Sequence, residues 1–264
     1  MNRFKSTASV RYIMAGILLV LGLAGCNGTV PTNGTNQTYQ LRAIVTADYN
    51  RPWTLMAADY RRDNARRRLA DVSLDTFSLQ FARPLFPIDS VFSLATISAR
   101  SFAAGSHKLY IVDSTVFNDS LVTTLPDSFA ITSVDPPSRL MRGLGQASIQ
   151  WSGSAGTESY VIAAVLRQAA YTGTGYSAYA TSLNTAGTFP AGAFSLSPGT
   201  AADTGWYYLY AYAITGAPDS AYARHLLPVP LPSQLVDNIT QTHFGGHFGT
   251  VVVSCRDSLH VVAQ

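Results

Sequence analysis

The sequence predicts an all-β protein with two tandem β-sandwich domains, and its composition is the first reason. Charged residues make up 12% of the 264 residues, about half of the roughly 25% that is usual in globular proteins. Glu158 is the single glutamate, and Lys5 and Lys108 are the only lysines. Because helical surfaces favour Glu and Lys, their scarcity argues against a helical protein. The abundant residues are Ser, Thr, Tyr, Val and Ala, a composition typical of secreted β proteins.

The second observation is a series of short apolar runs divided by turn residues, which is typical of sandwiches. Apolar positions alternate in residues 72–74 and again in residues 77–81, but the parity changes between the two runs. This change predicts a bulge or a turn at Asp75 and Thr76. The strands predicted in the first half are residues 41–49, 53–60, 71–81, 91–99, 108–112 and 129–134.

The third observation is the segment Asp135-Pro136-Pro137-Ser138, which predicts a domain boundary. A proline biases the residue before it toward extended backbone, and two successive prolines resist the continuation of a sheet. The predicted first domain is residues 38–136 and the predicted second domain is residues 137–264. Both lengths suit a β-sandwich.

The N-terminal segment, residues 1–25, has the features of a secretory signal. Arg3, Lys5 and Arg11 supply positive charge, and an apolar stretch follows over residues 13–23. That stretch is shorter than the roughly 20 residues that span a bilayer. The segment therefore predicts export from the cytoplasm rather than a membrane-spanning helix.

The signal ends in Leu23-Ala24-Gly25-Cys26, which resembles the lipobox of bacterial lipoproteins. The resemblance implies that Cys26 is acylated and becomes the first residue of the mature protein, so that a covalent lipid anchors the chain in a membrane. A plain secretory signal followed by a chance cysteine is the alternative. Asn27 differs from the aspartate that retains lipoproteins in the inner membrane. This favours an outer-membrane address, on either face of that membrane.

Residues 26–37 are predicted to be the lipidated cysteine and a flexible tether, whose root-mean-square reach is ~15–20 Å. Three of the chain's 18 basic residues lie in the predicted signal, so the mature chain carries as many basic as acidic residues. A formally neutral chain lacks the electrostatic footprint of a nucleic-acid binder, and we expect no nucleic acid as a partner.

The second half carries a more specific pattern in three segments. Residues 149–151 (Ile-Gln-Trp) are followed by residues 159–165 (Ser-Tyr-Val-Ile-Ala-Ala-Val) and later by residues 205–214, which begin Gly-Trp-Tyr-Tyr. This pattern resembles the fibronectin type III family, and Leu196-Ser197-Pro198-Gly199 resembles the turn before its strand F. The resemblance implies that alternate side chains face the core, namely those of Trp151, Tyr160, Ile162, Tyr207, Leu209, Ala211 and Ala213.

The chain continues well past the point at which that family ends. Three prolines in residues 226–232 predict an extended edge segment. Residues 243–249 predict a Gly-rich turn, and residues 248–254 and 258–262 predict strands. With its lipobox, the stretch at residues 125–132 and the Trp-to-Tyr spacing, the whole chain resembles uncharacterised bacterial envelope lipoproteins with one or two immunoglobulin-like domains. That resemblance implies a fold and an address but no activity.

Sequence motifs for catalysis are missing. The chain has no nucleophile elbow, phosphate-binding loop or dinucleotide fingerprint, and one glutamate gives a paired-carboxylate site little support. His243, His247 and His260 do not have the spacing of a metal site. Cys255 is expected to be a buried thiol, with a reactive thiol as the alternative. We therefore expect no enzyme, no metal and no cofactor other than the covalent lipid on Cys26.

Six tyrosines form the first candidate binding surface. Three lie in a Gly/Ser/Thr-rich stretch, and three alternate along one predicted strand, away from the core. Exposed rings of this kind form stacking platforms for sugars and contact sites for proteins. The alternative is that the rings fill the sandwich or lie beneath the C-terminal tail. The six are Tyr171, Tyr176, Tyr179, Tyr208, Tyr210 and Tyr212.

Five arginines in residues 61–69 form the second candidate surface, in a segment predicted to be a loop or one or two helical turns. Such a cluster binds anionic headgroups or acidic glycans, whereas the alternative is a solvated loop. Asp59, Asp63 and Asp71 flank the cluster and would weaken its field. The arginines are Arg61, Arg62, Arg66, Arg67 and Arg68, of which the last three are the predicted contact residues.

These features predict a lipid-anchored envelope protein that acts as a non-enzymatic binding or structural interaction module. One alternative is a glycan or surface-polymer binding protein that uses the tyrosine face, and another is an unrecognised hydrolase. The expected partners are the membrane, through the lipid, and an envelope protein or a glycan.

Overall fold

The computed structural model describes residues 39–50, 54–82, 90–96, 103–113, 117–141, 145–181, 183–194, 204–233 and 236–263. The predicted signal, Cys26 and the tether lie outside these ranges. So do Trp53, residues 97–99 and the predicted turn at residues 196–199. Residues Gln37–Gln264 form one compact unit.

Strands dominate the described chain, which confirms a mostly β fold. Its helical elements are α1 (Ser220–Leu226) and two 3-10 turns, Arg167–Ala169 and Ala191–Ala193. No helix in the described ranges has the length and apolarity needed to cross a bilayer. The strands are β1 (Tyr39–Asp48), β2 (Thr54–Arg62), β3 (Ala65–Arg66), β4 (Asp71–Leu74), β5 (Phe77–Ser78), β6 (Gln80–Ala82), β7 (Val91–Thr96), β8 (Gly105–Asp113), β9 (Phe117–Leu125), β10 (Ile131–Asp135), β11 (Arg139–Met141), β12 (Ala147–Trp151), β13 (Ser159–Leu166), β14 (Tyr176–Tyr179), β15 (Ala186–Phe189), β16 (Gly205–Gly216), β17 (Ile239–Gln241), β18 (Phe244–Val253) and β19 (Asp257–Val262).

The largest sheet joins strands from the two ends of the described chain. β1 pairs with β2 in the antiparallel sense and with β18 in the parallel sense. β18 pairs next with β16, whose first residues pair with β19 and whose other edge pairs with β13. β11 borders β19 at one end of the sheet, and β7 and β6 follow β2 at the other end.

The predicted boundary at residues 135–137 does not separate two sheets. The chain before it contributes β1, β2, β3, β6 and β7 to the largest sheet, and the chain after it contributes β11, β13, β14, β16, β17, β18 and β19. β10 and β12, from opposite sides of the boundary, pair in a second sheet. Instead of two separate tandem sandwiches, hydrogen-bonded strands join both halves in one unit. The two prolines predict a local break in the sheet. The pairing of strands that are distant in sequence leaves no local signal that could have shown the two halves joined.

One face of the largest sheet is covered by two smaller sheets, ordered β5-β4-β8-β9 and β10-β12-β15. The main hydrophobic core lies between these layers. The side chains predicted to face the core are all buried there, which confirms the alternation expected of these strands. They are Trp151, Tyr160, Ile162, Tyr207, Leu209, Ala211 and Ala213.

The opposite face of the largest sheet is covered by α1 and residues 227–231, which form a second hydrophobic core with it. Asp219 begins α1, and its Oδ1 accepts hydrogen bonds from the backbone N–H groups of Ala221 and Tyr222 at 2.9 and 3.1 Å. These bonds satisfy two N–H groups that have no partner within the helix. The cap thereby fixes the start of the helix that packs on this face.

The proline-rich segment after α1 is a cover over the sheet rather than the predicted edge strand. Val229 is buried, and its backbone N–H donates to the Tyr212 hydroxyl at 3.0 Å. Leu226 and Leu231 are buried in the same core. The apolar residues between the prolines therefore pack on a face of the sheet. Burial of these side chains, rather than the extended backbone, determines where the segment lies.

Several local predictions can be compared directly with the structure. Residues 61–66 form a β-hairpin in which β2 turns at Asp63 and Asn64 into β3, and residues 67–69 lie in the turn that follows, so the segment is not helical. Residues 244–249 of the predicted Gly-rich turn lie within β18. The turn at Asp75 is confirmed and has a φ of 52°. β9, which the sequence did not predict, pairs with β8 along its whole length.

Candidate binding surface

The predicted arginine surface is organised around one buried carboxylate, Asp59 in β2, whose side chain is 1% exposed. Arg61 donates to Asp59 Oδ2 from Nε at 3.0 Å and from Nη2 at 2.7 Å. Arg66 donates from Nε to Oδ1 at 3.0 Å, and the Tyr222 hydroxyl in α1 donates to Oδ2 at 2.8 Å. One carboxylate therefore connects the β2–β3 hairpin to α1.

The protonation of these groups follows from their surroundings. Burial alone would raise the pKa of Asp59 by penalising its charged form. The hydrogen bonds from Arg61, Tyr222 and Arg66 outweigh burial, so the pKa of Asp59 lies below its usual value. Burial and the nearby Asp59 charge raise the pKa of Tyr222, which keeps its hydroxyl protonated as a donor.

The remaining predicted arginine contacts do not form an open positive patch. Arg67 makes a two-point contact with Asp113, with Nε–Oδ2 at 2.8 Å and Nη2–Oδ1 at 3.1 Å. Arg68 is exposed, with its guanidinium 6.0 Å from the centre of the Phe81 ring. Of the three predicted contact residues, Arg66 and Arg67 are thus engaged with buried carboxylates. These contacts favour a structural role for the hairpin.

The six predicted tyrosines do not form one exposed face. Tyr210 and Tyr212 are fully buried, because α1 and residues 227–231 cover that side of β16. Burial also raises the pKa of Tyr212. Both rings are therefore excluded from any surface of the folded protein, which corrects the predicted binding face.

The three predicted tyrosines that lie outside β16 are half-buried, and each contacts the interior of the fold. Tyr176 packs edge-on against Phe189 in the main core, and Tyr179 packs against the second core. Burial raises the pKa of both hydroxyls. The Tyr171 hydroxyl donates a hydrogen bond to the buried carboxylate of Asp48. These contacts use the three rings to stabilise the fold, so the rings do not form a common exposed platform for a ligand.

Tyr208 borders a different exposed surface, which we name the Trp206 face. Trp206 is 48% exposed and stacks on His260, with ring centres 4.7 Å apart and planes inclined by 10°. In register, Trp206 of β16 lies opposite His260 of β19, and His260 lies opposite Arg139 of β11. Three neighbouring strands thus place these side chains in one row. The Trp206 face comprises Arg139, Arg167, Trp206, Tyr208, Arg256 and His260.

Tyr208 connects this row to two more arginines. The guanidinium of Arg256 lies 4.6 Å from the centre of the Tyr208 ring, and that of Arg167 lies 5.8 Å from it. Both distances are within the range of cation–π contacts. Arg167 directly follows β13, and Arg256 precedes β19 and donates its backbone N–H to Asn50 Oδ1 at 2.8 Å. Short turns beside the sheet therefore hold both arginines at the aromatic row.

The Trp206 face carries positive charge that nearby acids do not neutralise. Arg139, Arg167 and Arg256 are exposed, and none forms an ion pair with a carboxylate of the described residues. Asp257 has the same parity in β19 as the core residue Leu259, so it lies on the opposite side of the strand. This face therefore differs from the hairpin, whose main arginine contacts are buried carboxylates.

The sequence also singled out Cys255 and the histidines as candidate reactive or metal-binding groups. Cys255 is exposed, because β18 ends before it, which corrects the expected buried thiol. His247 is buried, with Nε2 3.0 Å from Asp237 Oδ1, whereas His243 is exposed. Within the described ranges, no three His, Cys, Asp or Glu side chains form a group that could hold a metal ion.

Sequence reasoning missed most of the Trp206 face. Trp206 has the same parity as Tyr208 in the predicted strand, so alternation alone could have identified it. The remaining residues come from β11, from β19 and from two turns that are distant in sequence. Only the sheet register brings them together, and no spacing in the sequence reports that register.

Comparisons with known proteins give no family for this chain. No family model matches it, and no curated protein matches it. Among solved structures, the chain is distantly similar to the first two immunoglobulin domains of DIP-gamma, with 9% identity, coverage of 87% of this chain and 99% of that one, and a TM-score of 0.23. It is similar to a two-domain fibronectin type III segment of chicken tenascin, with 11% identity, coverage of 60% and 83%, and a TM-score of 0.20. TM-scores this low carry no argument about the fold or its use.

We expect Asp59→Asn to lower the free energy of unfolding at pH 7 by about 2 kcal/mol, because Arg61, Arg66 and Tyr222 lose their shared charged acceptor. Chemical denaturation measures this change. Asp63→Asn is the matched control, since Asp63 is exposed and its oxygen lies 3.6 Å from Arg62. It should change the free energy by less than about 0.5 kcal/mol.

The effect should also depend on pH. The pKa of Asp59 is lower in the folded chain, so its contribution is present above the unfolded pKa of about 3.9 and is lost as the pH falls through the folded pKa. The stability difference between the parent and Asp59→Asn should therefore shrink below about pH 4. A difference that stays constant from neutral pH into this acidic range would contradict the assignment.

Proposed function

We propose that this chain is a lipid-anchored protein of the bacterial cell envelope that binds a partner through the Trp206 face and catalyses no reaction. The observation that carries the proposal is an exposed tryptophan held by stacking among three arginines without carboxylate partners in the described chain. Aromatic and arginine side chains are enriched in binding surfaces, because they supply large contact areas and charged donors.

The position of the Trp206 face in the sheet supports this division between anchor and binding surface. The predicted tether ends before Tyr39, which lies opposite Phe244 at the start of β18. From Phe244, β18 runs five positions to Gly249, and from its partner Gly216, β16 runs ten positions back to Trp206. At roughly 3.3 Å per residue, this path along the strands is about 50 Å long.

Tyr39, the first described residue, therefore lies toward one end of the largest sheet, and the Trp206 face lies toward the other end. The predicted lipobox and outer-membrane address support an envelope location. The lipid would supply the membrane attachment, so the Trp206 face is available for a second contact.

The use of the buried acids supports a role without catalysis. Catalytic carboxylates commonly lie in a cleft with a perturbed pKa and an open side toward the substrate. Each buried aspartate of the described chain instead accepts hydrogen bonds from groups that hold the fold, and Glu158 Oε2 accepts from the Gly216 backbone N–H at 2.9 Å. The buried aspartates are Asp48, Asp59, Asp113 and Asp219.

We expect Cys26→Ser to move the protein from the membrane fraction to the soluble fraction, because the substitution removes the sulfur that would carry the lipid. Fractionation of the producing cells, followed by detection of the protein, measures the change. Cys255→Ser is the matched control and should stay in the membrane fraction. Retention of Cys26→Ser with the membranes would contradict lipid anchoring.

We expect a photo-crosslinking amino acid at Met141 to capture the partner in intact producing cells. Met141 is 50% exposed and lies two residues after Arg139 in β11, beside the Trp206 face. Leu69, which is 96% exposed in the turn after β3, and Val122, which is 66% exposed in β9, are control positions. Adducts should form at Met141, and Trp206→Ala should abolish them. Equal adducts at all three positions, or none at Met141, would contradict the binding role of this face.

A further inference from the structure

We propose that the ligand of the Trp206 face is an acidic polysaccharide, in which a sugar ring stacks on Trp206 and its carboxylates bind Arg139, Arg167 and Arg256. This inference rests on the proposed function, because it names the ligand class of the same surface. It replaces the tyrosine platform that the sequence predicted, since two of those rings are buried.

The stacking platform is the first step of the argument. His260 covers one side of the Trp206 ring, so the 48% of Trp206 that remains exposed belongs to the other side and the edges. A ring held in this way loses little conformational freedom when a ligand stacks on it. The apolar C–H face of a pyranose is a flat, neutral surface that suits such a ring.

The charge is the second step. Arginine binds carboxylates through paired N–H donors in a plane, which favours a carboxylate over a diffuse negative field. Arg167 and Arg256 already lie against the Tyr208 ring, so their guanidiniums are partly oriented before a ligand arrives. No carboxylate of the described chain competes for them.

The extent of the surface favours a polymer over a single sugar. Arg139, His260 and Trp206 lie on three adjacent strands, so the row is about 10 Å long at roughly 4.8 Å per strand. Tyr208 lies two positions along β16 from Trp206, which adds about 7 Å in the other direction. Arginines therefore lie on two sides of the stacking ring, as a chain with several carboxylates requires.

Two other polyanions fit the chemistry less well. A bilayer of phosphatidylglycerol would offer phosphate groups to the arginines but no flat sugar face to stack on Trp206. Nucleic acid is not expected for a chain with a secretory signal and a formally neutral mature form. Polysaccharides with carboxylate groups are polyanions of the cell surface and suit the predicted address.

The experiment uses three soluble polymers that distinguish the contribution of the sugar rings from the contribution of the carboxylate charge. Polygalacturonate has sugar rings with carboxylates, methyl-esterified polygalacturonate has the same rings without charge, and polyacrylate has carboxylates without rings. The mature chain with Cys26→Ser is titrated with each polymer by calorimetry at 0.15 M salt, where exposed charges are screened beyond about 8 Å. We expect measurable binding of polygalacturonate and binding at least about tenfold weaker for the other two.

Variants assign the binding to this face. Trp206→Ala should weaken polygalacturonate binding about tenfold or more, and Arg167→Gln with Arg256→Gln should weaken it similarly. Arg68→Gln, which changes an exposed arginine in the turn after β3, is the matched control and should not change binding. Because Trp206 and both arginines are surface residues, an unchanged circular dichroism spectrum is expected and separates lost binding from lost folding.

The remaining outcomes each overturn the inference. Equal binding of the esterified polymer would remove the role of charge, and equal binding of polyacrylate would remove the role of the ring. Binding to vesicles of phosphatidylglycerol and phosphatidylcholine in place of polygalacturonate would assign the face to a membrane. If polygalacturonate does not bind while Met141 still gives Trp206-dependent adducts in cells, the ligand class is wrong and the proposed binding face stands.

Discussion

The parallel pairing of β1 with β18 is the contact on which the rest of the structure depends. It runs from Tyr39 opposite Phe244 to Asp48 opposite Val253. Parallel neighbours cannot be joined by a short turn, so the chain between them must leave the sheet and return. That intervening chain folds over both faces of the sheet, with the two smaller sheets on one side and α1 on the other. One pairing of the chain ends thereby makes one unit of the two predicted domains.

This arrangement also decides which side chains are left for a partner. Tyr210 and Tyr212 lie in the middle of the sheet, where α1 and the chain after it cover them, whereas Trp206 lies near the end of the same strand and stays exposed. The arginines are divided in the same way between contacts within the fold and an exposed surface. Arg66 and Arg67 are bound to buried carboxylates. Arg167 and Arg256 instead lie against the Tyr208 ring and form no ion pair with a carboxylate of the described residues. The Trp206 face is therefore a positive surface whose charge a ligand could neutralise.

The parts of this structure that depend on local alternation were predictable from the sequence, and the parts that depend on distant pairing were not. The core positions of Trp151 and Tyr207 follow from alternation in single strands, and the turn at Asp75 follows from a change of parity. The parallel partner of β1, which is β18, is some 200 residues away in the sequence, and nothing near Tyr39 specifies that pairing. The Trp206 face was missed for the same reason, since its residues meet only through the register of β16 with β19 and β11.

The most direct test of the β1–β18 pairing is the calorimetric unfolding of the chain from residue 27 onward with Gly246→Ala. Gly246 has a φ of 127°, and a Cβ there would lie 1.9 Å from the carbonyl oxygen of Leu41 in β1. The substitution should lower stability by about 3 kcal/mol or more and leave one cooperative transition, because both halves unfold together. Gly153→Ala, where a Cβ meets no atom within 4 Å, is the control and should unfold like the parent. An unchanged midpoint for Gly246→Ala, or a second transition from a first half that stays folded, would contradict the dependence of the whole fold on this pairing.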